Sequence, residues 1–137
     1  MADKKPQMVI LDGDGSFGIE VVGESHQYKN LRKIAGSCDR HAVEVVKTAY
    51  MVPEPRNVND PNAIRIDIDQ LPVGYLPKHA AAQISPILLR RGLVAIQAQA
   101  MVSAFEGADN YSVWMDGDLN EIIDEFSPKK GPKWRFW

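Results

Sequence analysis

Apolar and polar positions alternate most strictly at residues 64–69, where Ile64, Ile66 and Ile68 are separated by Arg65, Asp67 and Asp69. Period two with one oily and one charged face predicts a half-buried strand. Residues 43–52 are rich in β-branched side chains and predict a longer strand, ending at Pro53-Glu54-Pro55, where the prolines withhold ladder donors. Residues 94–105 put Val94, Ile96, Ala98, Ala100 and Val102 on one face. A hairpin turn at 107–110 then leads into a return strand over 111–115. Shorter strands are expected at 17–22, stopping at Gly23, and at 73–76, after the turn Gln70-Leu71-Pro72.

The spacing changes to a helical one after Ser25, the expected cap. Tyr28, Leu31, Ile34 and Ala35 share a face and Gly36 suits the exit. Lys29, Arg32 and Lys33 form a basic ridge on that helix, which in most proteins is a solvated face. Pro77 can open a second helix over 78–84, and Pro86 predicts a break, with Ser85 capping a further turn to Arg91. Residues 1–16 read as a flexible lead-in whose turn chemistry is Asp12-Gly13-Asp14-Gly15. A barrel domain is expected over 17–116, followed over 117–137 by an acidic segment and a basic, aromatic tail. Five to six strands with two short helices predict an all-β or α+β domain, a compact antiparallel barrel or strongly bent sheet.

Length and composition fit one soluble domain: 137 residues, 45% hydrophobic and 25% charged. The single cysteine, Cys38, excludes an internal disulfide and a thiolate metal cluster. His26, His41 and His79 lack metal-ligand spacing, so no metal and no cofactor is expected. Asp12-Gly13-Asp14-Gly15 shares its opening with a calcium loop, but Phe17 stands where that loop requires glycine. No leader or membrane segment is apparent, and a reducing cytoplasm is the simplest location. The net charge of −2 conceals an uneven distribution. Residues 106–125 hold seven acidic side chains and no basic one, whereas 129–137 hold four basic and three aromatic residues. That tail could clamp a single strand or dock its tryptophans on the barrel or a second subunit; docking is the simpler reading.

Three separated blocks carry a recognisable pattern: Val21-Val22-Gly23-Glu24-Ser25-His26, then Pro53-Glu54-Pro55-Arg56-Asn57-Val58-Asn59-Asp60-Pro61-Asn62-Ala63-Ile64, then Val73-Gly74-Tyr75-Leu76-Pro77. Their order and spacing, with the Asp-Pro-Asn-Ala core, resemble the HIRAN domain family over roughly 17–115, in its stand-alone bacterial or phage form. The resemblance implies an OB-like antiparallel β-barrel that grips the end of single-stranded DNA and recognises a free 3′-hydroxyl. It also implies a context of replication or repair, beside a helicase or nuclease supplied in trans. No phosphate-cradling glycine loop with its lysine is present, so a motor is not expected in this chain.

Carried over position by position, the resemblance makes Asp60 the carboxylate that accepts from the terminal hydroxyl, and Asn57 the brace of its loop. Lys78 is expected near backbone phosphates, and Tyr75 within reach of a sugar or phosphate. Gly74 is expected to permit close approach of the ligand. The family often places a stacking tyrosine before the loop aspartate; here that residue is Asn59. Stacking contributes about 1–3 kcal/mol per base. His26 or Tyr28 could supply it instead, although Tyr28 is equally placed to face the core, and Lys29 could meet the DNA backbone. Read without the family, Asp60-Pro61 is ordinary turn chemistry. A protein-interaction module on the same barrel is the alternative to DNA binding. A hydrolase ranks last, because no nucleophile-base pair or metal constellation is offered.

Overall fold

The computed structural model describes residues 7–126. The two longest strands form its spine. β3 (Val43–Pro53) pairs antiparallel with β6 (Leu93–Ala104), in register from Val43 opposite Ala104 to Met51 opposite Ile96. On the far side of β3 lie β4 (Ile64–Ile68) and then β5 (Leu71–Tyr75), both antiparallel. On the far side of β6 lie β7 (Ser112–Met115) and then β2 (Ile19–Glu20). The chain leaving β2 turns to the opposite end of the sheet. There Val22 and Tyr75 exchange two backbone hydrogen bonds, each of 2.8 Å. The sheet thus curls into an OB-like half-barrel whose two ends meet at this bridge, giving an α+β fold.

The strict alternation of β4 is reproduced: Ile64, Ile66 and Ile68 are fully buried. They join Met51, Val73, Ile96, Val102 and Met115 in the core, with Leu31 from α1 (Tyr28–Ala35), Ile84 and Leu88 from α2 (Lys78–Arg91), and Ile122 from α3 (Asn120–Phe126).

Several expectations are corrected. The described residues hold seven strands and three α-helices, more than the five to six and two expected. The extra strand, β1 (Gln7–Ile10), lies in the stretch read as lead-in and runs parallel to the first half of β6. Its four residues are too few to show a period. Its register slips between Gln7 and Met8, which pair with Leu93 and Ala95. Val94 lies within that slip and is exposed, and the alternation of β6 reverses where Ala95 and Ile96 are both buried. The strand expected at 17–22 is reduced to Ile19–Glu20 plus the Val22 bridge. Ser25 does not cap α1; a 3-10 turn, Glu24–Gln27, enters it from Gly23 at φ +77°.

Pro86 does not break α2, which runs continuously from Lys78 to Arg91. Ala81, Ile84, Ile87 and Leu88 are buried on both sides of the proline. Their packing offsets the one missing backbone hydrogen bond, and the ring of Pro86 sits on the exposed face. Ser85, expected as a cap, is buried mid-helix, and its hydroxyl has no partner among the described residues.

Candidate nucleic-acid interface

The connection between β3 and β4 carries the Asp-Pro-Asn-Ala core, and its backbone bonds are largely internal. Glu54 N–H donates to Ala63 O at 2.9 Å and closes the loop's base; Asn57 N–H donates to Glu54 O at 3.0 Å, and Ala63 N–H to Asp60 O at 2.9 Å. Asn57 acts as the brace. Its Oδ1 accepts from the N–H groups of Asn59 at 2.9 Å and Asp60 at 3.1 Å. Asp60 Oδ1 accepts from Asn62 N–H at 2.9 Å, a local turn that short acidic side chains favour. No hydrogen bond among the described residues engages its Oδ2, and the residue is half-buried.

One side chain ties this loop to the sheet. Glu54 Oε1 accepts from Asn57 Nδ2 and from the Tyr75 hydroxyl, both at 3.0 Å, and its Oε2 accepts from Arg65 Nη1 at 3.0 Å. Arg65 and Tyr75 are register partners on β4 and β5, so neighbouring strands present both donors together. Arg65 also forms a two-pronged pair with Asp67, Nε to Oδ1 at 2.8 Å and Nη2 to Oδ2 at 2.9 Å. Burial opposes ionisation of Glu54, yet the bonds from Asn57, Tyr75 and Arg65 outweigh it and hold the carboxyl below the usual glutamate range. Burial, reinforced by Glu54, pushes the Tyr75 phenol upward. Asp67 first and then Glu54 make Arg65 still harder to deprotonate. Pro53, Glu54, Pro55, Arg56, Asn57, Arg65 and Tyr75 line a shallow depression here, with Arg56 exposed.

The model of the HIRAN domain matches residues 14–113. This chain belongs to the HIRAN domain family. The family is associated with DNA binding in repair and remodelling contexts, and the domain is not catalytic by itself. No curated protein and no solved structure gives a significant match to the chain.

Within this HIRAN domain the sequence-predicted residues fall into two groups. Asn57, Asn59, Asp60 and Tyr75 are brought together on or beside the braced loop, with Asn59 exposed on it. Lys78 follows three residues after Tyr75, exposed at the start of α2. His26, Tyr28 and Lys29 line a separate shallow groove where the 3-10 turn enters α1. That turn packs against β5, and Asn30 Nδ2 donates to Pro72 O at 2.8 Å, so the groove adjoins the same edge of the barrel. Tyr28 is half-buried, with its ring 5.5 Å from that of Tyr111. Of the basic ridge, Arg32 pairs with Asp39 at 3.5 Å, while Lys29 and Lys33 are exposed.

Gly74 serves a different purpose from the one expected. At φ +155° it faces the chain's own crossing: an added Cβ would lie 2.6 Å from Val21 Cγ1 and 2.7 Å from Val22 O. The close approach it permits is that of the backbone closing the sheet. Glu54 and Arg65 are the polar residues that sequence reasoning missed. Glu54 stands between two prolines that mark a strand end and open the second family block, with no role assigned to it there, although Arg65 and Asp67, two apart on a wet face, point to a charged cluster.

The described residues include no helix long and apolar enough to cross a membrane, and no group of three His, Cys, Asp or Glu residues suited to a metal ion. The basic, aromatic tail at 129–137 lies outside the described residues.

Proposed function

We propose that this HIRAN domain binds single-stranded DNA, recognises its 3′-hydroxyl end, and does so without enzymatic activity of its own. The observation carrying this reading is the braced loop that holds Asp60 half-exposed with one carboxylate oxygen unengaged. A carboxylate accepts from a terminal hydroxyl but repels a terminal phosphate. In this reading Lys78 and Lys29 meet backbone phosphates, Asn59 contacts the terminal nucleotide, and His26 and Tyr28 supply what stacking there is. Tyr75 donates its proton to Glu54, so it offers DNA its ring and an acceptor oxygen. The partner is a DNA end in replication or repair in the cytoplasm, with the helicase or nuclease supplied by another chain. Titrating matched single strands with 3′-hydroxyl or 3′-phosphate ends tests the reading.

A protein-interaction module on the same barrel is the second reading. One observation favours it: Arg65, the cation that β4 presents beside the loop, is already matched by Glu54 and Asp67, which leaves Arg56 as the exposed cation in the loop. It is distinguished by the absence of any salt-dependent affinity for DNA.

A further inference from the structure

We propose that Glu54 is a positioning residue, which fixes the side-chain amide of Asn57 and through it the attitude of Asp60. Asn57 must present its oxygen to the N–H groups of Asn59 and Asp60, because a rotated amide would set its NH2 against two donors. Glu54 enforces that choice. A carboxylate only accepts, so it takes the Asn57 NH2 and leaves the amide oxygen for the loop. Glu54 is itself held from β4 by Arg65 and from β5 by Tyr75. The loop is therefore oriented against the sheet through one side chain that need not touch a ligand.

Three donors converge on Glu54: Asn57 Nδ2, the Tyr75 hydroxyl and Arg65 Nη1. Glutamine has the same length but only one acceptor oxygen, and its NH2 would face at least one of those donors. Glutamine can still turn that oxygen to Asn57 Nδ2 and Tyr75 and set its NH2 toward Arg65, whereas Glu54→Ala removes the acceptor from all three and frees the Asn57 amide without removing the loop's own backbone bonds. The consequence for DNA rests on the end-recognition reading; the consequence for the loop does not.

Hydrogen exchange of the folded protein, measured without DNA, separates the two. In Glu54→Ala the amides of Asn59 and Asp60 should exchange roughly three- to tenfold faster, the factor expected from losing one such bond. The amides of Met51 and Ala98 in the spine should be unchanged. Unaltered exchange at both Asn59 and Asp60 would overturn the proposal. If alanine prevents folding, Glu54→Met, similar in length and without a strong acceptor, carries the same expectation. Titrations of the same variant with 3′-hydroxyl and 3′-phosphate single strands then report on function: the preference should shrink more than the overall affinity. Faster loop exchange in a protein that never discriminated the two ends would sustain the positioning role and defeat the end-recognition reading alone.

Discussion

The Tyr75 hydroxyl donates to Glu54 Oε1 at 3.0 Å, across 21 residues of sequence. The contact links the strand that closes the sheet with the loop bearing the candidate carboxylate. Tyr75 has a second part in that closure, since its backbone exchanges both hydrogen bonds with Val22. The geometry of the candidate interface and the joining of the sheet's two ends therefore share one residue.

Tyr75→Phe removes only the hydroxyl. It should cost about 1 kcal/mol, the usual net value of a partly buried hydrogen bond, and lower the urea midpoint without changing the slope. In the wild type, ultraviolet titration should show two tyrosines, Tyr75 and Tyr111, ionising above the ordinary range of about 10, and only one of them should remain in the variant.

Glu54 makes folding sensitive to acid. Its folded-state proton affinity lies below the value of about 4.5 expected for it when exposed. Across that interval the unfolded chain binds more protons than the folded one. The stabilisation from Glu54 is therefore fully present above the unfolded value and is lost as pH falls through the folded one. Urea midpoints should drop between neutral pH and pH of about 3, and the drop should be smaller in Glu54→Gln.

Gly74→Ala should be among the most damaging small substitutions. The new methyl meets Val21 Cγ1 and the carbonyl of Val22, and the backbone at φ +155° is unfavourable for any side chain. A loss of about 2 kcal/mol or more is expected from the combined overpacking and strain. Denaturation of the variant measures it directly.

Pro86→Ala should stabilise α2. Alanine restores the N–H that the helix lacks at this point, while the ring leaves an exposed position. The gain is offset in part by a freer unfolded chain, leaving a net of about 1–2 kcal/mol in favour of the variant. Thermal unfolding should show a higher midpoint.

Much of the barrel was legible because its strands bury one face. Ile64, Ile66 and Ile68 can satisfy their alternation only with Arg65 and Asp67 outward, and the structure agrees. The brace role of Asn57 was implied by the family resemblance, and its partners lie two and three residues away. What was hidden depends on distant chain segments. Val94 fails its expected face at the point where the pairing with β1, some eighty-five residues earlier, shifts register. Pro86 is tolerated because buried neighbours hold the helix together. Gly74 is explained only by Val21 and Val22 crossing over it, and Glu54 only by donors from two later strands.

Anisotropy titration of two otherwise identical single strands, one ending in a 3′-hydroxyl and one in a 3′-phosphate, tests the central claim most directly. The wild-type protein should bind the hydroxyl end more tightly by about tenfold or more, the worth of a hydrogen bond to a charged acceptor. Asp60→Ala should bring the two affinities together. Equal affinities for both ends in the wild type, or a preference that survives loss of the Asp60 carboxylate, would contradict the account.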